Sequence, residues 1–288
     1  MTKFRLVIFL VILPLSLSFA QNILLPETSN SSLNAQSGFI NDIGDDLSSM
    51  YKVGIGFVES PLHFDSEDLI LTGIIIGATT VSTSIDNPVR NVVRNSQNPT
   101  FDKITPLGEE FGNPKYGTAL SVILYLGGHI LQDKEIRKTG LMLTEAMFLN
   151  GVITQGLKIV TGRSRPYSNE GNFDIHFLKM EFVDRDYSFP SGHTSTAFTF
   201  ATVLSERIGN IYASIALYSL AGLTAFQRIY SDSHWISDTI VSAALGTVIG
   251  LKVIKLNSEY ENENSDTSLN IVPLINRAGY GVSLALSF

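Results

Sequence analysis

Residues 194–208, TSTAFTFATVLSERI, and residues 211–227, IYASIALYSLAGLTAFQ, are two apolar segments separated only by Gly209 and Asn210. Each is long enough for a helix, and neither has the strict alternation of a half-buried strand. Four further segments of the same kind, 69–85, 116–132, 139–157 and 238–254, bring the expected number of helices to six. The expected fold is therefore all-α, a six-helix bundle over residues 68–255, with a short β-hairpin appended at its C-terminal side.

On either side of the bundle the composition changes. In residues 1–20, Lys3 and Arg5 precede an apolar run from Leu6 to Leu17 that closes on Ser18, Phe19 and Ala20, the form of an export signal. That run is nearer to signal length than to spanning length. Residues 21–67 are expected to form a linker or N-terminal arm, their early part rich in Ser, Asn and Asp, with Asp42, Asp45 and Asp46 in a solvated turn. In the tail, residues 256–288, Tyr280, Val282, Leu284, Leu286 and Phe288 recur at a spacing of two, which is the pattern of the hairpin. If all six helices crossed a membrane, three crossings would leave the loop 160–190 on the cytoplasmic side. An external site is thus expected on a periplasmic bundle, soluble or membrane-associated.

The 288 residues contain no Cys, which excludes disulfides, thiolate nucleophiles and Cys zinc sites. The 20 Lys and Arg against 27 Asp and Glu give a net charge of −7, so nucleic acid is not an expected partner. Against this acidic background, Lys158, Arg163 and Arg165 are the only charges between Ala146 and Asn169. They form a concentrated cationic site.

Three short motifs surround the polar loop. In the first, Lys158 and Arg165-Pro166 lie seven residues apart, where a helix runs out at Gly162 and Pro166 forbids its continuation. In the second, Phe189-Pro190-Ser191-Gly192-His193 opens a helix whose Ser191, Gly192 and His193 N–H groups and positive dipole end are presented to an anion. In the third, Arg228 is followed by His234 and Asp238, four residues apart, a spacing expected to let the carboxylate accept the Nδ1 hydrogen and leave Nε2 free to attack. Together they describe Lys158, Arg165 and Arg228 on the equatorial oxygens of a phosphoryl group, helped by the N–H groups at Ser191 and Gly192. Two histidines complete the site, one attacking phosphorus and one protonating the departing oxygen. No carboxylate cluster with metal-ligand spacing accompanies them, so a metal-independent hydrolysis with no cofactor is expected.

Lys-x6-Arg-Pro, then Pro-Ser-Gly-His, then Arg-x5-His-x3-Asp, in this order, resembles the type 2 phosphatidic acid phosphatase superfamily, which includes bacterial acid phosphatases, membrane lipid phosphatases and vanadium-dependent haloperoxidases. The resemblance covers residues 68–255 and implies a helical bundle with the motifs gathered at one end. It implies that Lys158, Arg165, Ser191, Gly192 and Arg228 hold phosphate, that His193 is the acid for the leaving group, and that His234, oriented by Asp238, forms a phosphohistidine. The implied substrates are phosphate monoesters, phospholipids or lipid pyrophosphates. Gln227 stands where the family usually has Ser. Vanadate-dependent halide oxidation and a non-catalytic helical membrane protein retaining an anion site are the competing functions. Phe173, Phe177, Phe182, Tyr187 and Phe189 could rim the site or form a cluster of the loop's own. His63, His129 and His176 have no partners at ligand spacing and are read as structural.

Overall fold

The computed structural model describes residues 31–178, 183–266, 268–276 and 279–287. The export-signal reading of residues 1–20 lies outside them. The chain divides into two compact units, Met1–Asp45 and Asp46–Phe288, and every candidate site residue belongs to the second.

Among the described residues there are nine α-helices rather than six: α1 (Ser31–Glu59), α2 (Ser66–Thr83), α3 (Asp86–Asn95), α4 (Pro99–Phe111), α5 (Pro114–Leu131), α6 (Lys134–Thr161), α7 (Gly192–Ile208), α8 (Ile211–Tyr230) and α9 (Ile236–Asp266). The six apolar segments fall on α2, α5, α6, α7, α8 and α9. Helices α3 and α4 escaped that pattern because neither is a long apolar run. In α3 only Val89, Val92 and Val93 carry the helical spacing, and α4 holds Pro99 at its start and Pro106 within it. Helix α1 occupies part of the stretch read as a linker. There Val53 is 1% exposed, and Asp46, far from lying in a solvated turn, is buried and accepts a hydrogen bond from Tyr125 Oη at 3.0 Å. The chain ends in strands β1 (Ser268–Asn276) and β2 (Gly279–Ser287), which pair antiparallel with Ser268 opposite Ser287 and Asn276 opposite Gly279.

Helix ends follow local chemistry. The side chains of Asp65, Asn98, Asn113, Asp133, Ser191 and Asn210 each accept a first-turn N–H, satisfying donors that the helix itself leaves orphaned. At the far ends, Gly162 and Gly209 turn left-handed, with φ of 53° and 62°, and stop α6 and α7. The core brings together Met142, Leu143 and Ala146 of α6, Phe200 and Val203 of α7, and Ile249 and Val253 of α9. Helices α7 and α9 touch through their backbones, since a β-carbon on Gly246 would come 2.3 Å from Ser195 O and 2.9 Å from Thr199 N. That crossing sets the starts of α7 and α9 side by side, where Ser191 N donates to Ser242 Oγ at 2.7 Å. The last turns of α6 and α8 arrive at the same end, carrying Lys158 and Arg228.

Many apolar side chains remain outside this core, including Ile70, Ile74, Ile123, Ile130, Phe148 and Ile215, each at least 58% exposed. Ile236–Asn262 is long and apolar enough to cross a membrane, and α2 with α3 forms a second such stretch bent by 59°.

Replacing Gly246 by Ala is expected to lower the unfolding free energy by about 1–3 kcal/mol, because two backbones must separate. The change Gly127→Ala, on a helix face with nothing within 4 Å of a new β-carbon, is expected to stay within about 0.5 kcal/mol of wild type. Denaturant titration of the two variants compares them.

Candidate active site

The first motif spans a helix end and the turn beyond it. Gly162 is required twice, by its positive φ and because a β-carbon there would meet His176 O at 2.0 Å. Lys158, in the last turn of α6, donates from Nζ to Tyr187 O at 2.6 Å, while Arg165 pairs with Asp184 at 2.8 Å. In the second motif Ser191 is the N-cap of α7, so its N–H, expected to face an anion, is instead committed to Ser242. Gly192 and His193 are the first two residues of the helix, positions whose N–H groups have no acceptor within it. A β-carbon on Gly192 would lie 3.9 Å from Lys158 Cε, which places the first two motifs against each other. In the third, Arg228 stands 3.6 Å from Glu109 Oε1, and Gln227 donates to Glu109 Oε2 at 3.2 Å.

The charges converge on two imidazoles. Burial, followed by the positive charges of Arg228, Lys158 and Arg165, pulls His193 down to about 4. Burial pulls His234 down to about 3, with Lys158 and Arg165 acting in the same direction and Asp238 against them. Both rings are therefore neutral near pH 7. Lys158 is itself pulled down to about 7, first by burial and then by Arg165, while Asp238 and Asp184 oppose the shift. The Nε atoms of Arg165 and Arg228 are buried with no hydrogen-bond partner among the described residues. Two such orphaned cationic donors in one site fit an oxyanion.

The imidazole of His234 is held differently from expectation. Its Nδ1 lies 2.6 Å from the Ser188 carbonyl, and Asp238 Oδ2 is 3.7 Å away, too far for a hydrogen bond but close enough for its charge to act. A carbonyl only accepts, so Nδ1 carries the hydrogen and Nε2 keeps its lone pair. The carboxylate fixes the segment around the ring: Oδ2 accepts from Ser188 Oγ at 2.5 Å and from Trp235 N at 2.9 Å, and Oδ1 accepts from Arg163 at 2.5 Å.

Sequence reasoning therefore missed the Ser188 carbonyl, which no side-chain pattern announces, and counted Arg163 in the cationic site, whereas its guanidinium is bonded to Asn172, Ser237, Asp238 and Asp86. It also missed Asp86, whose place at a polar helix start was its sole signal, and the rim carboxylates Glu109 and Asp184. Of the loop aromatics, Tyr187 is buried, whereas Phe173 and Phe177 are 69% and 73% exposed; Phe182 lies outside the described residues. His176, expected to stand alone, hydrogen-bonds Asp174 Oδ2 at 2.9 Å and forms with Glu170 and Asp174 a group whose ligand atoms lie within 4.8 Å of one another.

Comparison with known proteins agrees with the motifs. The model of the PAP2 superfamily matches residues 139–260, from α6 through most of α9. Over that region the chain is similar to the type 2 phosphatidic acid phosphatase superfamily. It is 36% identical over 84 residues to lipid A 1-phosphatase of Porphyromonas gingivalis, covering 28% of this chain and 19% of that protein. It is 26% identical over 209 residues to lipid phosphate phosphatase 1 of Arabidopsis thaliana, covering 63% of each. The chain thus spans less than two thirds of either relative. Among solved structures, Aquifex aeolicus LpxE aligns with a TM-score of 0.46 at 26% identity over 59% of this chain and 95% of that one.

Lys158 carries its charge below about pH 7 and loses it above. Affinity for sulfate, which stays a dianion throughout, is expected to fall by up to about tenfold per pH unit above that point, and Lys158→Met is expected to abolish the slope. Calorimetric titration between pH 5.5 and 9 measures both.

Proposed function

We propose that this chain is an exported, membrane-associated phosphatase that hydrolyses lipid phosphates or related phosphate monoesters through a phosphohistidine at His234. The observation that carries the reading is the pair of buried Nε donors on Arg165 and Arg228, left without partners beside a neutral imidazole whose Nε2 is unprotonated. Lys158, Arg165 and Arg228, with the Gly192 and His193 N–H groups, hold the three equatorial oxygens and neutralise the charge that develops on them. His234 Nε2 attacks phosphorus as the ester P–O bond breaks. The departing oxygen takes a proton from His193, which gains that proton when the bound dianion offsets the cations that otherwise keep the ring neutral. In the second half, His193 removes a proton from water, the resulting hydroxide attacks phosphorus, and the P–N bond to His234 breaks to release phosphate. Asp238 and the Ser188 carbonyl keep the ring aimed and stabilise its positive charge.

No step in this scheme calls on a metal, because fixed cations and a helix start supply the charge stabilisation that phosphoryl transfer demands. A lipid substrate is supported by the apolar faces of α2, α5 and α8, which suit residence at a membrane, and by the named activities of the relatives.

Phosphate release from p-nitrophenyl phosphate, phosphatidic acid, phosphatidylglycerol phosphate and an isoprenyl pyrophosphate, measured with EDTA present, tests the proposal. Turnover is expected to survive EDTA and to fall at least about a thousandfold in His234→Ala, with the unfolding midpoint retained. Appreciable activity in that variant overturns the phosphohistidine. Vanadate-dependent bromide oxidation in place of hydrolysis would replace this reading with a haloperoxidase.

A further inference from the structure

Arg163 lies between Lys158 and Arg165 in the first motif, yet none of its donors is left for a substrate. Nε and Nη2 donate to Asn172 O at 2.9 and 2.6 Å, Nη2 also to Asp86 Oδ2 at 2.7 Å, and Nη1 to Ser237 Oγ at 2.8 Å and to Asp238 Oδ1 at 2.5 Å. All five hydrogens of the guanidinium are engaged. The side chain is 6% exposed, and both carboxylates are fully enclosed. Asp86 is the first residue of α3, outside the segment matched by the family model, and it also accepts from Ser237 N at 3.0 Å and Ser237 Oγ at 2.9 Å. One turn further along α3, Arg90 makes two 2.6 Å bonds to Asp232, so one helix grips both ends of the segment that carries His234.

The charges of this buried group decide what Asp86 does. Asp86, Arg163 and Asp238 sum to one negative charge, and Asp238 Oδ2 is the part of this group beside the imidazole, 3.7 Å from Nδ1. With Asp86 neutral, the sum would be zero, and Arg163 would offset the negative charge that Asp238 offers to a positively charged His234 ring. In an enclosed site such a change is weakly screened. We propose that Asp86 is a positioning residue for the His234–Asp238 pair, acting through Arg163 to keep a net negative charge beside the imidazole and to lock the start of α9. Its catalytic consequence rests on the phosphatase reading; its effect on the resting ring does not.

Three variants test this. Asp86→Asn is expected to lower kcat by about 10- to 100-fold, with KM within about twofold of wild type, since the substrate-binding cations are untouched. The double variant Asp86→Asn/Arg163→Gln restores the net charge of the group and is expected to regain about tenfold of that loss, whereas a merely structural role makes the double variant worse than either single one. Asp86→Glu is expected to recover part of kcat. In the resting protein, ¹⁵N-histidine spectra are expected to show the His234 Nδ1–H signal displaced in Asp86→Asn and returned toward wild type in the double variant, with the other four histidines unmoved. An undisplaced His234 signal in Asp86→Asn overturns the inference whether or not the protein hydrolyses any ester. An inactive wild type with a displaced signal sinks the phosphatase reading alone.

Discussion

A single buried carboxylate joins the three motifs. Asp238 receives Arg163 from the end of α6, the Ser188 hydroxyl from the approach to α7, and the Trp235 N–H from its own helix start. Each donor comes from a different stretch of chain, and burying the anion without all of them would leave unpaired polar groups at a cost of several kcal/mol. The carboxylate therefore dictates where the segments before α7 and α9 must lie. His234 follows from that placement, since the Ser188 residue that bonds Asp238 through its hydroxyl turns its carbonyl to the imidazole Nδ1.

The second constraint is the mutual repulsion of Lys158, Arg165 and Arg228, which the fold confines around His193. Several devices contain it. Lys158 sits where burial favours its neutral form and donates to a main-chain carbonyl, and the two arginines lean on the rim carboxylates Asp184 and Glu109. The backbone contact between α7 and α9 holds the frame in which these opposing forces balance. Gly246 allows that contact, and the small Ser195 and Thr199 lie opposite it.

How much of this was legible follows from the kind of interaction involved. The six apolar helices and the order of the three motifs are written as side-chain patterns, so the bundle and its cationic end could be read directly. Helices α3 and α4 could not, because the valines of α3 are few and the prolines of α4 read as breakers. Lys158, Arg165, His193, Arg228 and His234 were named from residue type and spacing. The Asp238 role was named with the wrong contact, since an i, i+4 spacing permits a His–carboxylate bond but does not exclude a backbone carbonyl reaching Nδ1 first. Ser191 shows the same limit: its position at a helix start was readable, while the diversion of its N–H to Ser242 depends on a helix crossing 51 residues away in sequence. Asp86 lies 77 residues from Arg163, and nothing local in either stretch announces the other.

The rim carboxylates carry a consequence for how the site meets its medium. Because Arg165 rests on Asp184 and Arg228 on Glu109, the pocket comes supplied with tethered counter-ions of its own. An arriving anion exchanges with fewer mobile ions than bare cations would hold, because these carboxylates stay attached to the protein. The entropy of releasing dissolved ions, which makes most polycationic sites fade as salt is added, is largely missing from such an exchange. Binding at such a site depends less steeply on ionic strength than at cations without tethered partners.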